Sequence, residues 1–232
     1  MKILGIDTSS TKNFSIGLLD NDKIIETNFL DFGNTDEYIT FAIDSIQKML
    51  GLDLKTIDYF TVGIGPGSFT GLRIGVTIIK TLAWAAGKNV IPLSSLELLV
   101  YSYEERLSSE KTVFIPVIDS RTGRVFSAIL DGKKRVSEDM DIAPEKLVGM
   151  INKLCGNYKR AVFLGDGLLK YKEIFDKADF QNKIFLPEAN IKGNAICKKA
   201  IETLKLKNNT IPPEVLEPNY LRKSEAEIKL GF

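Results

Sequence analysis

Two stretches of this chain are variants of one another, and that duplication limits its fold more than any other feature. Residues 2–25 read KILGIDTSSTKNFSIGLLDNDKII, and residues 113–136 read VFIPVIDSRTGRVFSAILDGKKRV. Ile6-Asp7-Thr8-Ser9 falls on Ile118-Asp119-Ser120-Arg121, and Ser15 to Asp20 falls on Phe126 or Ser127 through Asp131, an offset of 111 to 112. Each copy is an apolar strand ending in Asp, a polar turn, a second apolar strand, a charged turn and a third short run. That pattern is a three-stranded meander.

The segments downstream of the two meanders also correspond. In the first half, apolar positions recur at helical spacing over residues 36–50. A short strand, DYFTVGI, then leads into the loop GPGSFTGLRIG, and the helical run LRIGVTIIKTLAWAA comes next. NVIPL and a helix over residues 94–107 close that half. The second half abbreviates the plan: helix 144–154, strand 160–164, Gly165-Asp166-Gly167, helix 168–177, strand KIFLP and helix 194–206. Each half is therefore β-β-β-α-β-α, a mixed sheet flanked by helices. The expected class is α/β, with an N-terminal lobe over residues 1–108 and a C-terminal lobe with a tail over residues 109–232. Two such halves, each with Asp at its first turn, resemble the RNase H-like lobes of the actin-like ATPase (ASKHA) superfold.

The loop at residues 65–75 carries the densest punctuation. Gly65, Pro66 and Gly67 allow a sharp reversal, and Ser68 or Thr70 can cap the next helix. Gly71 and Gly75 lie one turn apart, so a second backbone can approach that face. An anion site at the helix N-terminus, helped by Arg73, is the functional alternative. The loop lacks both the P-loop ending and the dinucleotide fingerprint, so its spacing favours a structural turn.

Beyond the loop, Arg73, Thr77 and Lys80 form one narrow polar stripe on a helix that is otherwise apolar nearly all round. Such a helix is either sandwiched inside its own domain or shared with another protein. Helix 36–50 is also apolar on more than one side. The two together favour a partner or dimer face formed by Ile39, Ile43, Ile46, Leu72, Arg73, Val76, Ile78, Ile79 and Leu82.

The chain has no histidine, which removes histidine-ligated metal and every Ser–His or Cys–His nucleophile. A protease is set aside on that ground, since neither a metal triad nor a Ser–His pair can be built without histidine. With 31 basic and 30 acidic residues, the chain lacks the strongly basic character of an autonomous nucleic-acid binder. No apolar run is long enough to span a bilayer, the N-terminus reads as a strand, and the two cysteines suggest no disulfide framework, so a cytoplasmic protein is expected.

ILGIDTSS, GPGSFTGLRIG, IDSRTGRVF, the GDG at 165–167 and PNYLR near the end together resemble the bacterial TsaB (YeaZ) family, over essentially the whole chain. The resemblance implies a glycoprotease-type fold and a non-catalytic subunit in making threonylcarbamoyladenosine next to the anticodon of tRNA. It implies TsaD, which carries the metal on a histidine pair, and TsaE, a small ATPase, as partners. It also implies a homodimer when the subunit is alone, tRNA contact only through the complex, and no cofactor or metal of its own. Two departures stand out: Asn34-Thr35-Asp36 where many members have a histidine, and Asp119-Ser120-Arg121-Thr122 where Asp-Ala-Arg-Arg is common.

Asp7, Thr8, Ser9, Asp119 and Arg121 occupy the turns that hold nucleotide phosphate in the superfold. Vestigial nucleotide contact is one reading, and capping of the meander turns is the favoured one. A nucleotide-dependent kinase or ATPase on the same superfold is the alternative function. Cys155 and Cys197 read as core thiols, and Lys133-Lys134-Arg135 as a solvated turn. In the tail, residues 218–222 are expected to lie extended with Tyr220 buried, and residues 224–227 to cap a short helix.

Overall fold

The computed structural model describes residues 1–30, 41, 42, 44–46, 48, 53–109, 111–207 and 209–222. It divides into two compact units, Met1–Leu98 with Ile191–Tyr220, and Leu99–Asn190 with Leu221 and Arg222.

In the first unit, the run KILGID forms β1 (Lys2–Asp7), which pairs antiparallel with β2 (Phe14–Asp20). β2 turns back into β3 (Lys23–Phe29) through a two-residue hairpin in which Asn21 takes φ +55°. A left-handed residue there matches the twist of the two strands, and Asn tolerates it. β4 (Tyr59–Gly63) and β5 (Val90–Leu93) then join β1 in parallel, giving the order β3-β2-β1-β4-β5.

The second unit repeats this plan. β6 (Thr112–Asp119) is its central strand, and the second strand of the repeat is interrupted into β7 (Val125–Ser127) and β8 (Leu130–Asp131). β8 turns into β9 (Lys134–Arg135) through Gly132-Lys133, with Gly132 at φ +53°. The Asn21-Asp22 and Gly132-Lys133 hairpins therefore fall at the same place in the two copies. β10 (Met140–Ile142) pairs with β7, a strand too short and polar to be legible in the sequence. β11 (Arg160–Leu164) and β12 (Asn182–Leu186) complete the sheet in parallel.

The helices obey their caps. α1 (Phe69–Ala86) starts at Ser68, whose Oγ accepts the Gly71 N–H at 3.2 Å, and ends at Gly87 in the left-handed region. The expected helix at 94–107 is two pieces, α2 (Ser95–Tyr101) and α3 (Glu104–Leu107). α4 (Pro144–Leu154) begins with proline at its first position, where the missing N–H costs nothing. α5 (Leu168–Phe175) packs beside α4 on the second sheet, enclosing Leu147, Ile151, Phe163 and Phe175.

α6 (Gly193–Lys207) departs from the expected division at residues 108 and 109. It lies far along the chain yet packs on β1, β2 and β3 of the first unit. Glu26 and Asn28 of β3 hold its first turn, accepting the N–H groups of Asn194 at 2.8 Å and Gly193 at 3.0 Å. Opposite, Gly17 leaves room for the Gly193 carbonyl, which would stand 2.1 Å from a Cβ there. A cut in the sequence cannot reveal such a return, because the docking depends on side chains of β3 far earlier in the chain.

Phe41, Ala42, Asp44, Ser45, Ile46 and Lys48 are helical, with an Asp44–Lys48 ion pair one turn apart at 2.7 Å. Ile39 and Ile43, and the proposed cap at 224–227, lie outside the described residues.

Candidate functional site

The first meander turn, the loop at 65–68 and the start of α1 form one interlocked cluster. Asp7 ends β1 and is 2% exposed. Its Oδ1 accepts the Ser9 N–H at 2.9 Å and the Ser9 hydroxyl at 2.7 Å, while Oδ2 accepts the Ser95 hydroxyl at 2.7 Å. Ser95 in turn binds Gly65, its Oγ accepting the Gly65 N–H and its own N–H donating to the Gly65 carbonyl. Ser68 N–H donates to the Ser9 carbonyl at 2.6 Å, and the Thr8 hydroxyl donates to the Gly71 carbonyl at 2.6 Å.

Glycine is what lets these backbones meet. A Cβ at Gly63 would fall 1.7 Å from Asp7 Oδ2, at Gly67 2.4 Å from the Ser9 carbonyl oxygen, and at Gly71 2.0 Å from that of Thr8. Asp7, Thr8 and Ser9 are thus all buried and bonded internally. The sequence carried the turn and the loop, but it had no local signal for Ser95 or Gly63.

Burial raises the Asp7 carboxyl above its ordinary value, outweighing the hydrogen bonds from Ser9 and Ser95 that pull it down. A carboxyl with a raised folded pKa favours folding most when protonated, and that contribution is lost as pH rises from the unfolded value through the folded one. Asp7→Asn removes the buried charge but also an acceptor, because Ser9 and Ser95 both donate to the carboxyl whereas an amide nitrogen can only donate. We expect a net loss of about 1–3 kcal/mol that is smaller at pH 8, where the parent bears the cost of the buried charge, than at pH 4. Urea unfolding of both proteins across that range checks this, and a loss that grows as pH rises contradicts it.

The apolar faces of α1 are mostly enclosed. Leu72, Val76, Ile78 and Ile79 are buried at 1, 5, 8 and 0% exposure, and Ile46 at 4%. Val76, Ile78, Ile79 and Ile46 pack with Leu4, Ile6, Phe60 and Val62 in the core of their own unit, and Leu82 packs against that core while partly exposed. These findings correct the expectation that Ile46, Leu72, Val76, Ile78 and Ile79 form a partner face. The sheet lies on one side of α1, and the chain's own tail covers another.

That tail is a strap along α1. Ile211 makes an antiparallel bridge with Val90, Leu216 is buried in the core, and Lys80 Nζ donates to the carbonyls of Glu214 at 2.9 Å and Leu216 at 3.3 Å. Asn219 N–H donates to the Ile64 carbonyl at 2.7 Å. Tyr220 is 40% exposed rather than buried: its ring stacks on Phe69, with centroids 4.6 Å apart. The side of α1 left to solvent carries Thr70, Arg73, Thr77, Thr81 and Trp84, the last 68% exposed.

In the second unit, Asp119 Oδ1 accepts the Arg121 N–H at 2.9 Å, and Arg121 takes φ +63°. Asp166, between Gly165 and Gly167, accepts the Asp119 N–H at 3.0 Å. Lost hydration, and then the neighbouring Asp119 carboxylate, raise the Asp166 carboxyl above its ordinary range. Asp119 caps its own turn in this geometry, and Asp166 ties the end of β6 to the loop after β11. Lys133 and Lys134 lie at the β8–β9 hairpin, and Arg135 pairs with Asp139 at 2.8 Å. Burial pushes the thiols of Cys155 and Cys197 up to about 11 and about 12, far from thiolate chemistry at neutral pH. Among the described residues, no three His, Cys, Asp or Glu side chains gather as a metal-ligand group, and no helix is long and apolar enough to cross a membrane.

Two mixed sheets built on one repeated strand order, each flanked by helices, define a duplicated α/β protein. The family model described as "TsaD: tRNA N6-adenosine threonylcarbamoyltransferase" matches residues 34–230. The tRNA threonylcarbamoyladenosine biosynthesis protein TsaB of Haemophilus influenzae is 30% identical, over 99% of this chain and 97% of its own length. The Bacillus subtilis protein of the same name is 29% identical over the same shares. Among solved structures, YeaZ from Pseudomonas aeruginosa superposes with a TM-score of 0.78 at 19% identity, covering 95% of this chain and 99% of that one. The chain belongs to the TsaB (YeaZ) family, within the wider TsaD group that the family model describes.

Proposed function

We propose that this chain is a non-catalytic subunit in the formation of threonylcarbamoyladenosine in tRNA. It acts in the cytoplasm by pairing with the metal-bearing TsaD subunit, alongside the ATPase TsaE, and it self-associates when alone. The biosynthetic process named for its relatives supports the pathway. One observation carries the non-catalytic part: both Asp7 oxygens are engaged by Ser9 and Ser95, and the 65–71 loop is seated on the Thr8 and Ser9 carbonyls. A carboxylate bonded inward through both oxygens and only 2% exposed does not present itself to a phosphate-bound cation or a substrate proton. The kinase alternative needs one that does. With no histidine, the chain also cannot form the histidine pair expected of the catalytic partner.

The pairing surface in this reading is the solvent side of α1, with Trp84 near its C-terminal end and Arg73 on the same face about three turns earlier. Large exposed aromatics are enriched where binding energy concentrates. Trp84→Asp is expected to weaken capture by TsaD at least about tenfold while shifting the unfolding midpoint by only a few degrees. Reconstitution with TsaD, TsaE and tRNA tests the function itself. Modification should fall sharply when this chain is omitted, and the purified chain alone should turn over nothing. Turnover by the isolated chain would overturn the proposal.

A further inference from the structure

We propose that Arg73, held by Phe69 and by Tyr220 of the strap, is a pre-set fork that grips an acidic side chain of the partner subunit. This rests on the reading that the solvent side of α1 is the partner face. Three contacts set the guanidinium. Its Cζ lies 4.1 Å from the centroid of the Phe69 ring, one helical turn earlier. The Tyr220 ring stacks on Phe69, and the Tyr220 hydroxyl accepts a hydrogen bond from Arg73 Nε at 3.2 Å. Nε and one face of the group are thereby used. The terminal nitrogens, whose paired N–H groups match a carboxylate, have no partner among the described residues.

An exposed arginine normally samples many rotamers, and ordering it on binding opposes affinity. Here the ring and the hydroxyl have already removed much of that freedom. Tyr220 is brought to this spot by the strap, whose backbone is fixed next door by the Asn219–Ile64 hydrogen bond. The strap thus supplies a positioning residue to a surface formed by a helix far earlier in the sequence.

The surroundings decide for a protein carboxylate over a nucleic-acid phosphate. Phosphate backbones are gripped by several cations at once. The other residues on this side of α1, Thr70, Thr77, Thr81 and Trp84, are uncharged, and the Lys80 ammonium is occupied by the carbonyls of Glu214 and Leu216. Among the described residues Arg73 is thus the one cation α1 offers outward, on a face otherwise made of threonines and, about three turns further on, the exposed Trp84, a composition that suits one protein carboxylate better than a run of phosphates.

The test measures affinity of the full-length chain for purified TsaD from the same organism by calorimetry, at low and physiological salt. Arg73→Ala is expected to weaken binding about 30-fold and remove most of its salt dependence. Arg73→Lys, which keeps the charge but not the fork, should lose about tenfold. Tyr220→Phe keeps the stacked ring and removes only the hydroxyl, so it should leave the unfolding midpoint in place while weakening binding about fivefold. If Trp84→Ser weakens binding and Arg73→Ala does not, the face is correct and the fork is overturned. If neither variant matters, both are overturned. Arg73→Ala that spares TsaD affinity but weakens tRNA binding by the assembled complex would make the fork a phosphate ligand and also overturn it.

Discussion

Ile79→Asp is expected to destroy the folded state of the first unit rather than merely separate subunits. Ile79 is fully enclosed, packed among Leu4, Phe60, Val62, Val76, Ala83 and Leu216. None of these can solvate or pair with a carboxylate, so the new group must be buried unpaired, be protonated at a large penalty, or force the helix out. Loss of the isoleucine packing adds to that. Together they amount to on the order of 5 kcal/mol or more, comparable with the whole stability of a typical domain. Far-UV circular dichroism and urea unfolding should show a protein largely unfolded at 25 °C, and expression should move to the insoluble fraction. Thr77→Asp, two residues earlier but exposed, is the control and should stay within about 0.5 kcal/mol of the parent. A soluble, cooperatively folded Ile79→Asp protein would return this helix face to the surface.

The contrast between those residues marks where sequence reasoning reached and where it stopped. Periodicity identified α1 as apolar almost all round, and that is correct: sheet, strap and neighbouring helical residues enclose much of its circumference. What periodicity cannot supply is the identity of the cover. Leu216, the strap residue that closes the core, comes long after α1 in the chain, and its own neighbourhood is polar and proline-rich. Apart from β10, the strands were legible as short runs between turn residues, and the duplication cross-checked the meanders; both hairpins place a left-handed residue at the same step. Asp7 was legible as a turn residue for the same reason. Its bond to Ser95 was not, because only the parallel pairing of β1, β4 and β5 brings the start of α2 over the end of β1.

Gly71 and Gly75 offer a sharper test of how the site is built. In an isolated helix, Gly→Ala gains about 1 kcal/mol. Here both changes should destabilise, for different reasons that a second substitution separates. A Cβ at Gly71 would stand 2.0 Å from the Thr8 carbonyl oxygen, a backbone atom fixed by β1, so α1 must shift away from the turn it caps. That movement also strains the hydrogen bond from the Thr8 hydroxyl to the Gly71 carbonyl. We expect a loss of about 3 kcal/mol, or roughly 6–12 °C in the unfolding midpoint for a chain of this size. At Gly75 the obstruction is the Thr8 hydroxyl oxygen itself, at 2.3 Å, with the Thr8 Cβ at an ordinary 3.4 Å. Thr8→Ala should therefore relieve much of the Gly75→Ala defect, giving a coupling of about 1–2 kcal/mol in a double-mutant cycle. The same Thr8→Ala change should leave the Gly71→Ala defect nearly whole, since the carbonyl remains. Urea unfolding of the three single variants and the two doubles measures both cycles. If Gly71→Ala raises stability as helix propensity alone dictates, or if both cycles couple equally, α1 does not rest on the backbone of the first meander turn.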